Sequence, residues 1–288
     1  QNENILLEKI KELILLIQKK DNTTNLITIG YDIRKNSKSL AFESATTALK
    51  CGFEVNISDQ PIPTPILKYN AITSNSLMGL MITGGDLDKN WNGYKLYYPS
   101  LIPLNDETII NSNSQNVQDK INIIPQNYIN EYNAYLKKII NLELIGKYGK
   151  SHQPTESILI DSMGGCGKTF MEDILIEHGW RVQTIFGSPL DTFYERIPTI
   201  NDEQIKPLSY NVSVTDAILG IMLNGDCSEC GIVNYDGKFI SKNKISDLIK
   251  NYYKTIEGEQ LKLIMEDGIL SSLIILEIIC VYGKNILD

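Results

Sequence analysis

Residues 26–57, which read LITIGYDIRKNSKSLAFESATTALKCGFEVNI, decide the fold. Leu26–Gly30 is a short apolar run typical of a buried strand. Ser37 is a candidate N-cap for a helix that Gly52 ends. Phe53–Ile57 then has the β-branched and aromatic content of a second strand. This order of strand, helix and strand predicts an α/β domain.

The same alternation continues on both sides of this stretch. Residues 4–19 place apolar side chains at helical spacing. Pro61–Pro65 predicts a stiff turn into another helix, and Leu77–Thr83 predicts a third strand. Residues 100–145 are polar and rich in Asn, so we expect a surface excursion followed by a helix over Gln126–Leu142.

A second cycle follows Gly146–Thr155, whose composition is typical of a linker and is expected to end the first domain. Its predicted elements are strand Ser157–Asp161, helix Thr169–His178, strand Arg181–Ile185, strand Ala217–Leu223, a hairpin of Gly231–Tyr235 and Lys238–Ile240, and helices Lys244–Tyr253 and Asp267–Tyr282. We therefore expect two α/β domains, residues 1–150 and 151–250, each a mixed sheet between helices. A helical C-terminal segment, 251–288, completes the chain.

Composition excludes several classes of function. The net charge is −8 and no basic run occurs, which argues against a nucleic-acid binder. Only three arginines occur, Arg34, Arg181 and Arg196, which is few for a protein that binds phosphates bidentately. The five cysteines are odd in number and scattered, which predicts reduced thiols in a cytoplasmic protein. No apolar run reaches the ~18 residues of a membrane span, so we expect no membrane insertion.

Several segments, taken in their order along the chain, carry a family resemblance. They are Gly30–Arg34 (GYDIR), Pro63–Pro65 (PTP), Gly79–Asp88 (GLMITGGDLD) with NGYK at 92–95, Asp161–Gly167 (DSMGGCG) and Leu223–Glu229 (LNGDCSE). In this order they resemble the phosphohexomutase motifs G-x-D-x-R, T-P, G-I-M-I-T-A-S-H-N-P with N-G-x-K, D-x-x-H-G-x-G and D-G-D-A-D-R. The chain therefore resembles the phosphoglucomutase and phosphomannomutase relatives over about residues 5–250.

The resemblance implies a domain I-like part (1–150), a domain II-like part (151–250) and a truncated remnant of domain III (251–288). Asp267–Leu270 resembles the end of domain III, but only a short link separates it from Tyr253. The family has its sugar-reading G-E-x-S loop there. Neither the fourth domain nor a T-S-G-x-R-G segment is matched within these residues, so a reduced protein and an incomplete sequence both stay open.

The resemblance also implies that the phosphoryl-transfer loop is degenerate. The family passes a phosphoryl group through a phosphoserine with the help of a divalent metal. Here the loop is Thr83, Gly84, Gly85 and Asp86, with Gly85 at the serine position. Asp86 replaces the histidine of the motif, and its carboxylate would repel an incoming phosphate.

The metal loop departs from the motif as well. Three alternating aspartates would make an oxygen cage suited to Mg²⁺. Those positions are Asn224, Asp226 and Ser228, which leaves one formal charge of three, and Glu229 reverses the charge of the arginine that follows. We expect no cofactor, with Mg²⁺ needed only if the chain is an active mutase.

The leading hypothesis is a non-catalytic structural or regulatory subunit of an assembly, with a protein partner or a second copy of itself. One alternative is a divergent mutase of hexose 1- and 6-phosphates that uses Thr83 or a complementing chain. Another is a sensor of phosphosugars or nucleotides, with Arg34, Lys95 and Lys168 as possible phosphate-binding residues.

Two further motifs admit other readings. Residues 162–169 (SMGGCGKT) approach a P-loop, but Ser162 stands where the first glycine is needed. Cys227 and Cys230 have zinc-ligand spacing without a second ligand pair, so two ordinary thiols are the simpler interpretation.

Overall fold

The computed structural model describes residues 3–18, 24–98, 121–124, 127–153, 155–168 and 170–288. Within the predicted excursion over 100–145, residues 100–120 and 125–126 lie outside the described residues, as does Thr169. Two compact units are present. The first contains residues up to Gly84 and from Asn90 to Tyr132, and the second contains Gly85–Lys89 and Asn133–Asp288. The assignment of these units to family domains stays a prediction.

The first unit is built on a five-stranded mixed sheet. Its elements are α1 (Glu3–Gln18), β1 (Leu26–Tyr31), α2 (Ser37–Lys50), β2 (Glu54–Ser58), α3 (Thr64–Thr73), β3 (Met78–Ile82), β4 (Tyr94–Tyr97) and β5 (Ile121–Ile124). The strand order is β4-β3-β1-β2-β5, with β4 antiparallel to β3 and the other pairs parallel. The predicted helices and the first three strands are confirmed, whereas β4 and β5 were not predicted.

The apolar central strands explain why this sheet lies between helices. All five residues of β3 are buried, and Ile27 and Ile29 of β1 are fully buried with Val55 of β2. Parallel strands covered on both faces need this continuous apolar character. Helices α1 and α2 supply one covering layer, and α1 contributes Ile10 and Ile14 to the same core.

The expected N-cap of α2 is wrong by one residue. Asn36 precedes the helix with a left-handed φ of 68°, and Ser37 is the first helical residue. Asparagine tolerates this conformation better than most residues. The Ser37 hydroxyl donates instead to the carboxylate of Asp32 (2.6 Å).

The second unit has its own five-stranded sheet. Its elements are α5 (Leu142–His152), β6 (Ser157–Asp161), α6 (Phe170–Glu177), β7 (Val182–Ile185), α7 (Lys206–Ser213), β8 (Ala217–Leu223), β9 (Cys230–Asn234), β10 (Phe239–Ile240), α8 (Lys242–Tyr253), α9 (Gly258–Met265) and α10 (Gly268–Tyr282). Helix α4 (Asn127–Ile139) contains the boundary between the units. The strand order is β10-β9-β8-β6-β7, with β6, β7 and β8 parallel and the β8–β9 and β9–β10 pairs antiparallel. The predicted hairpin is confirmed, and Gly237 makes its turn with a φ of 81°.

The segment Gly146–Thr155 is a helix rather than a linker over most of its length. Helix α5 extends to His152, capped at its start by the Asn141 side chain, which accepts from the Leu144 amide. Its glycines permit close packing, since a Cβ on Gly149 would lie 2.8 Å from the indole nitrogen of Trp180. Glycine was therefore misread as a sign of an irregular segment.

Helix α10 forms the centre of the second unit. It is apolar all round, and it packs against β8, β9, α5 and α8. A helix without a polar face is stable only when buried on every side, and here residues Gly268–Ile279 are all buried. Within the described residues, no helix is long and apolar enough to cross a membrane.

Candidate functional site

In the first unit, a buried carboxylate gathers the residues that follow β1 and β3. Asp32 accepts hydrogen bonds from Arg34 Nε (3.1 Å), the Ser37 hydroxyl (2.6 Å) and the Thr83 hydroxyl (2.7 Å). Burial raises the pKa of the Asp32 carboxyl, and the charge of Arg34 opposes that rise. The candidate nucleophile Thr83 is thus a buried donor to a carboxylate.

Arg34 is held within the same cluster. Its side chain is buried, and a second guanidinium nitrogen donates to the Trp91 carbonyl (3.2 Å). A Cβ on Gly84 would lie 2.7 Å from Arg34 Cζ, so only glycine fits there. Asp32 and Arg34 thus form a local, buried ion pair. Lys95, the other candidate of this unit, lies on β4 opposite Met81.

The segment Gly85–Lys89 belongs to the second unit. Gly85, which the resemblance predicts to stand at the position of the family's serine, has a φ of 55°, which disfavours residues with a side chain. Asp86 is exposed, and its Oδ1 accepts from the Asn224 amide at 3.1 Å. Lys89 forms an ion pair with Glu195. The segment is therefore tied to the second unit at two points.

The loop after β8 closes on itself. Asn224 is only 1% exposed, and its Oδ1 accepts from the Glu229 backbone amide (3.0 Å). Its Nδ2 also donates to Ser228 Oγ (3.2 Å), and Ser228 Oγ donates to Asp226 Oδ1 (2.7 Å). Each of the three candidate metal-loop residues is thus bonded to a neighbour in the loop.

This donor set does not fit a divalent cation. Asp226 supplies one carboxylate, and its Oδ1 already accepts from the Ser228 amide and hydroxyl. Glu229 pairs with Lys242 (2.7 Å). Mg²⁺ requires several hard oxygen ligands in near-octahedral geometry. In the part of the chain that the structure describes, no three His, Cys, Asp or Glu side chains are placed to hold a metal ion.

The glycine-rich loop after β6 faces inward. The backbone amide of Gly164 donates to Phe186 O (2.7 Å), that of Gly165 to Ser162 O (2.8 Å) and that of Cys166 to Gly225 O (2.9 Å). A phosphate cradle needs such amides to point at the ligand. Their use in protein hydrogen bonds argues against the P-loop alternative, although Lys168 does lie in this loop with a φ of 46°.

A buried ion pair at the end of β6 was missed from the sequence. Asp161 is fully buried and accepts two hydrogen bonds from Arg196 Nη1, at 3.1 and 2.9 Å. Burial raises the pKa of Asp161, and Arg196 opposes the rise. The Arg196 guanidinium also lies 4.9 Å from the Phe186 ring centre and donates through Nε to Gln204. The only signal in the sequence was the scarcity of arginine.

The segment before Arg196 is strained and tightly packed. Phe193, Tyr194 and Glu195 have consecutive φ values of 50°, 54° and 60°. Non-glycine residues hold such angles only when their surroundings fix them. Here a Cβ on Gly164 would lie 2.9 Å from the Tyr194 ring, whose hydroxyl donates to Ser188 O (3.2 Å).

The cysteines show no sign of metal binding or redox pairing. All five are free. Burial raises the pKa of the Cys227 thiol well above its usual value and that of Cys230 to about 11. Within the described residues, no further His, Cys, Asp or Glu side chain joins them in an arrangement that could hold a metal ion, so two ordinary thiols remain the better interpretation.

Comparisons with known proteins relate the chain to the family that its motifs resemble. Residues 1–120 match the family model of phosphoglucomutase/phosphomannomutase, alpha/beta/alpha domain I. The chain is 26% identical over 231 residues to the "Probable phosphoglucosamine mutase" of Methanothermobacter thermautotrophicus, covering 77% of this chain and 49% of that protein. It is 24% identical over 243 residues to the phosphoglucomutase/phosphomannomutase of Thermococcus kodakarensis, covering 81% and 52%. The chain thus spans about half the length of the curated relatives it matches.

Solved structures share the fold. A phosphoglucomutase/phosphomannomutase family protein from Burkholderia thailandensis superposes with a TM-score of 0.75 at 14% identity, covering all of this chain and 76% of that one. The parafusin phosphoglucomutase of Paramecium, in its open form, gives a TM-score of 0.72 at 15% identity, with 97% and 68% covered. The comparisons therefore show a phosphohexomutase-like fold for the chain, with residues 1–120 matching the family's domain I.

Proposed function

We propose that this phosphohexomutase homologue does not transfer phosphoryl groups and serves as a structural or regulatory subunit of a protein assembly. The observation that carries the proposal is Gly85 at the position of the phosphoserine. Glycine has no hydroxyl to accept a phosphoryl group. The backbone there has a φ of 55°, a conformation that glycine adopts without strain.

The loop of residues 224–229 supports the same conclusion. Phosphoryl transfer needs a cation to neutralise charge that develops on the phosphate oxygens. Asn224 and Ser228 carry no charge, and their polar atoms are bonded within the protein. Loss of the nucleophile and of the cation ligands in one chain is difficult to reconcile with turnover.

The divergent mutase is the second candidate, and one observation favours it. The Thr83 hydroxyl lies 2.7 Å from Asp32 Oδ2, as a nucleophile lies from its general base. Two facts oppose it. Thr83 is only 3% exposed. A phosphoryl group on its oxygen would place negative charge against the Asp32 carboxylate, with Arg34 already engaged by that carboxylate.

The phosphosugar sensor has less support from the candidate cations. Arg34 is buried, and its guanidinium group donates to Asp32 and to the Trp91 carbonyl, so it is directed at protein groups. Lys95 and Lys168 lie in different units. A retained fold without these chemical groups fits a protein that works through contacts with a partner or a second copy.

A coupled mutase assay tests the proposal. The full chain is incubated with glucose, mannose or glucosamine 1-phosphate, Mg²⁺ and a hexose bisphosphate activator, beside an active family mutase as positive control. We expect no turnover, and no covalent label from radiolabelled bisphosphate, from a protein that melts cooperatively. Turnover with a phosphorylated residue would refute the proposal, and mapping would begin at Thr83. A rise in melting temperature with a hexose phosphate, without turnover, would favour the sensor, because a ligand of the native state stabilises it.

A further inference from the structure

Two departures from the family motifs meet within the second unit. Asp86 stands where the motif has histidine, and Asn224 stands where it has the first aspartate of the metal loop. They are 138 positions apart in the chain, yet Asn224 Nδ2 lies 3.1 Å from Asp86 Oδ1. One residue supplies a donor and the other an acceptor, so the two substitutions complement each other.

The orientation of the Asn224 amide is fixed by its other bonds. Its Oδ1 accepts from the Glu229 backbone amide, which can only donate. The Nδ2 group must therefore face Ser228 Oγ and Asp86. With the side chain buried, all of the amide's polar atoms are engaged, and the direction of the bond to Asp86 does not depend on an arbitrary choice of amide rotamer.

The charges explain why asparagine suits this position. An aspartate at 224 would place a second carboxylate against Asp86 at hydrogen-bond distance. Two carboxylates at such a distance need a shared proton or a cation between them. The neutral amide removes the repulsion and supplies the proton itself, so this contact needs no cation.

We propose that the Asp86–Asn224 hydrogen bond fixes Gly85–Lys89 on the loop of residues 224–229 without a divalent cation. The inference builds on the proposed loss of the cation site, but it concerns conformation rather than activity. It predicts that the segment is ordered in the absence of any divalent metal.

The surroundings make Asp86 the sensitive point of this link. Backbone hydrogen bonds hold the 224–229 loop in the second unit. The Gly268 amide at the start of α10 donates to Cys227 O (3.0 Å), and the Cys166 amide donates to Gly225 O (2.9 Å). Within the segment, Asp86 bonds directly to this loop, and Lys89 forms an exposed ion pair with Glu195. A surface ion pair contributes little.

Hydrogen exchange of the full chain, followed by mass spectrometry on peptides that cover residues 85–89, tests the link. Asp86→Ala removes the acceptor, and we expect exchange there to accelerate about tenfold, the effect of losing one charge-assisted hydrogen bond. Asp86→Asn is the matched control, because its amide oxygen can still accept from Asn224, and it should stay closer to the wild type. Adding Mg²⁺ should leave the wild type unchanged.

Asn224→Asp gives the decisive comparison. It sets a second carboxylate against Asp86, so exchange in the segment should accelerate without metal. Mg²⁺ should restore protection in this variant alone, with a matching rise in melting temperature, because two facing carboxylates beside Asp226 can bind a cation. Unchanged exchange in Asp86→Ala, or a saturable response of the wild type to Mg²⁺, would overturn the inference. Neither readout depends on mutase activity, so the proposed function is judged separately by the coupled assay.

Discussion

Removal of the Arg196 side chain is the sharpest test of how the second unit holds its loops. Arg196→Met keeps most of the aliphatic length and leaves Asp161, which is 0% exposed, without its cationic partner. The variant loses two charge-assisted hydrogen bonds to Asp161, two to Gln204 and the stacking over Phe186. Breaking a buried ion pair from one side costs about 3–5 kcal/mol.

We expect the lower part of that range, about 3 kcal/mol, because the Arg196 side chain is 12% exposed and water can reach the site. For urea unfolding this corresponds to a fall in the midpoint of roughly 1–3 M, from usual slopes of about 1–3 kcal/mol/M. The matched control is Arg181→Met, which breaks an ion pair with Asp216 whose side chains are both 45% exposed. That change should cost about 0–1 kcal/mol.

The loss should also depend on pH. Burial raises the pKa of Asp161 in the folded protein, and removal of Arg196 removes the charge that opposes this rise. A carboxyl with a raised folded pKa contributes stability at low pH that is lost as the pH rises through that pKa. The deficit of Arg196→Met relative to the wild type should therefore be larger at pH 8 than at pH 5. Equal costs for the two arginine variants, or a deficit that shrinks as the pH rises, would refute this reasoning.

Three further outcomes follow from the packing. Leu273→Ala in α10 should cost about 2–5 kcal/mol because it opens a cavity in a fully buried helix, whereas Leu263→Ala, 45% exposed, should cost much less; chemical denaturation measures both. Thr83→Val should lower the free energy of unfolding by about 1–3 kcal/mol, because a buried carboxylate oxygen of Asp32 loses its hydrogen-bond donor. Thr83→Ser should retain most of that stability in the same assay. The thiols of Cys51, Cys227 and Cys230 should react slowly with an aromatic disulfide reagent at pH 8, because burial raises their pKa. All five thiols should react after denaturation.

Each of these has a clear contrary result. Equal effects of the two leucine changes would mean that α10 is not the centre of the unit. A valine at position 83 that left stability unchanged would show that the hydroxyl is not needed by the buried carboxylate. Rapid reaction of all five thiols in the native protein would contradict their burial.

Much of the architecture could be predicted because local patterns carry it. The apolar runs in Ala217–Leu223 and Ser157–Asp161 indicate buried strands, and the Asp236–Gly237 turn indicates a hairpin. The glycine-containing helix α5 was misread because close packing against Trp180, which selects for its glycine, involves a residue far along the chain. Strand β4 was missed because its four residues are only half buried and give a weak pattern.

The sequence by itself determined the α/β class and most of the order of the strands and helices, and through the family resemblance it predicts which residues stand at the nucleophile and metal-loop positions. Those follow from periodicity and from motif order, which are properties of neighbouring residues. Only the tertiary structure decided which side chains face each other: Thr83 against Asp32, Arg196 against Asp161, and Asp86 against Asn224. These pairs join residues 35 to 138 positions apart, and a hydrogen bond or ion pair depends on ångström-scale approach that no local pattern of amino acids encodes.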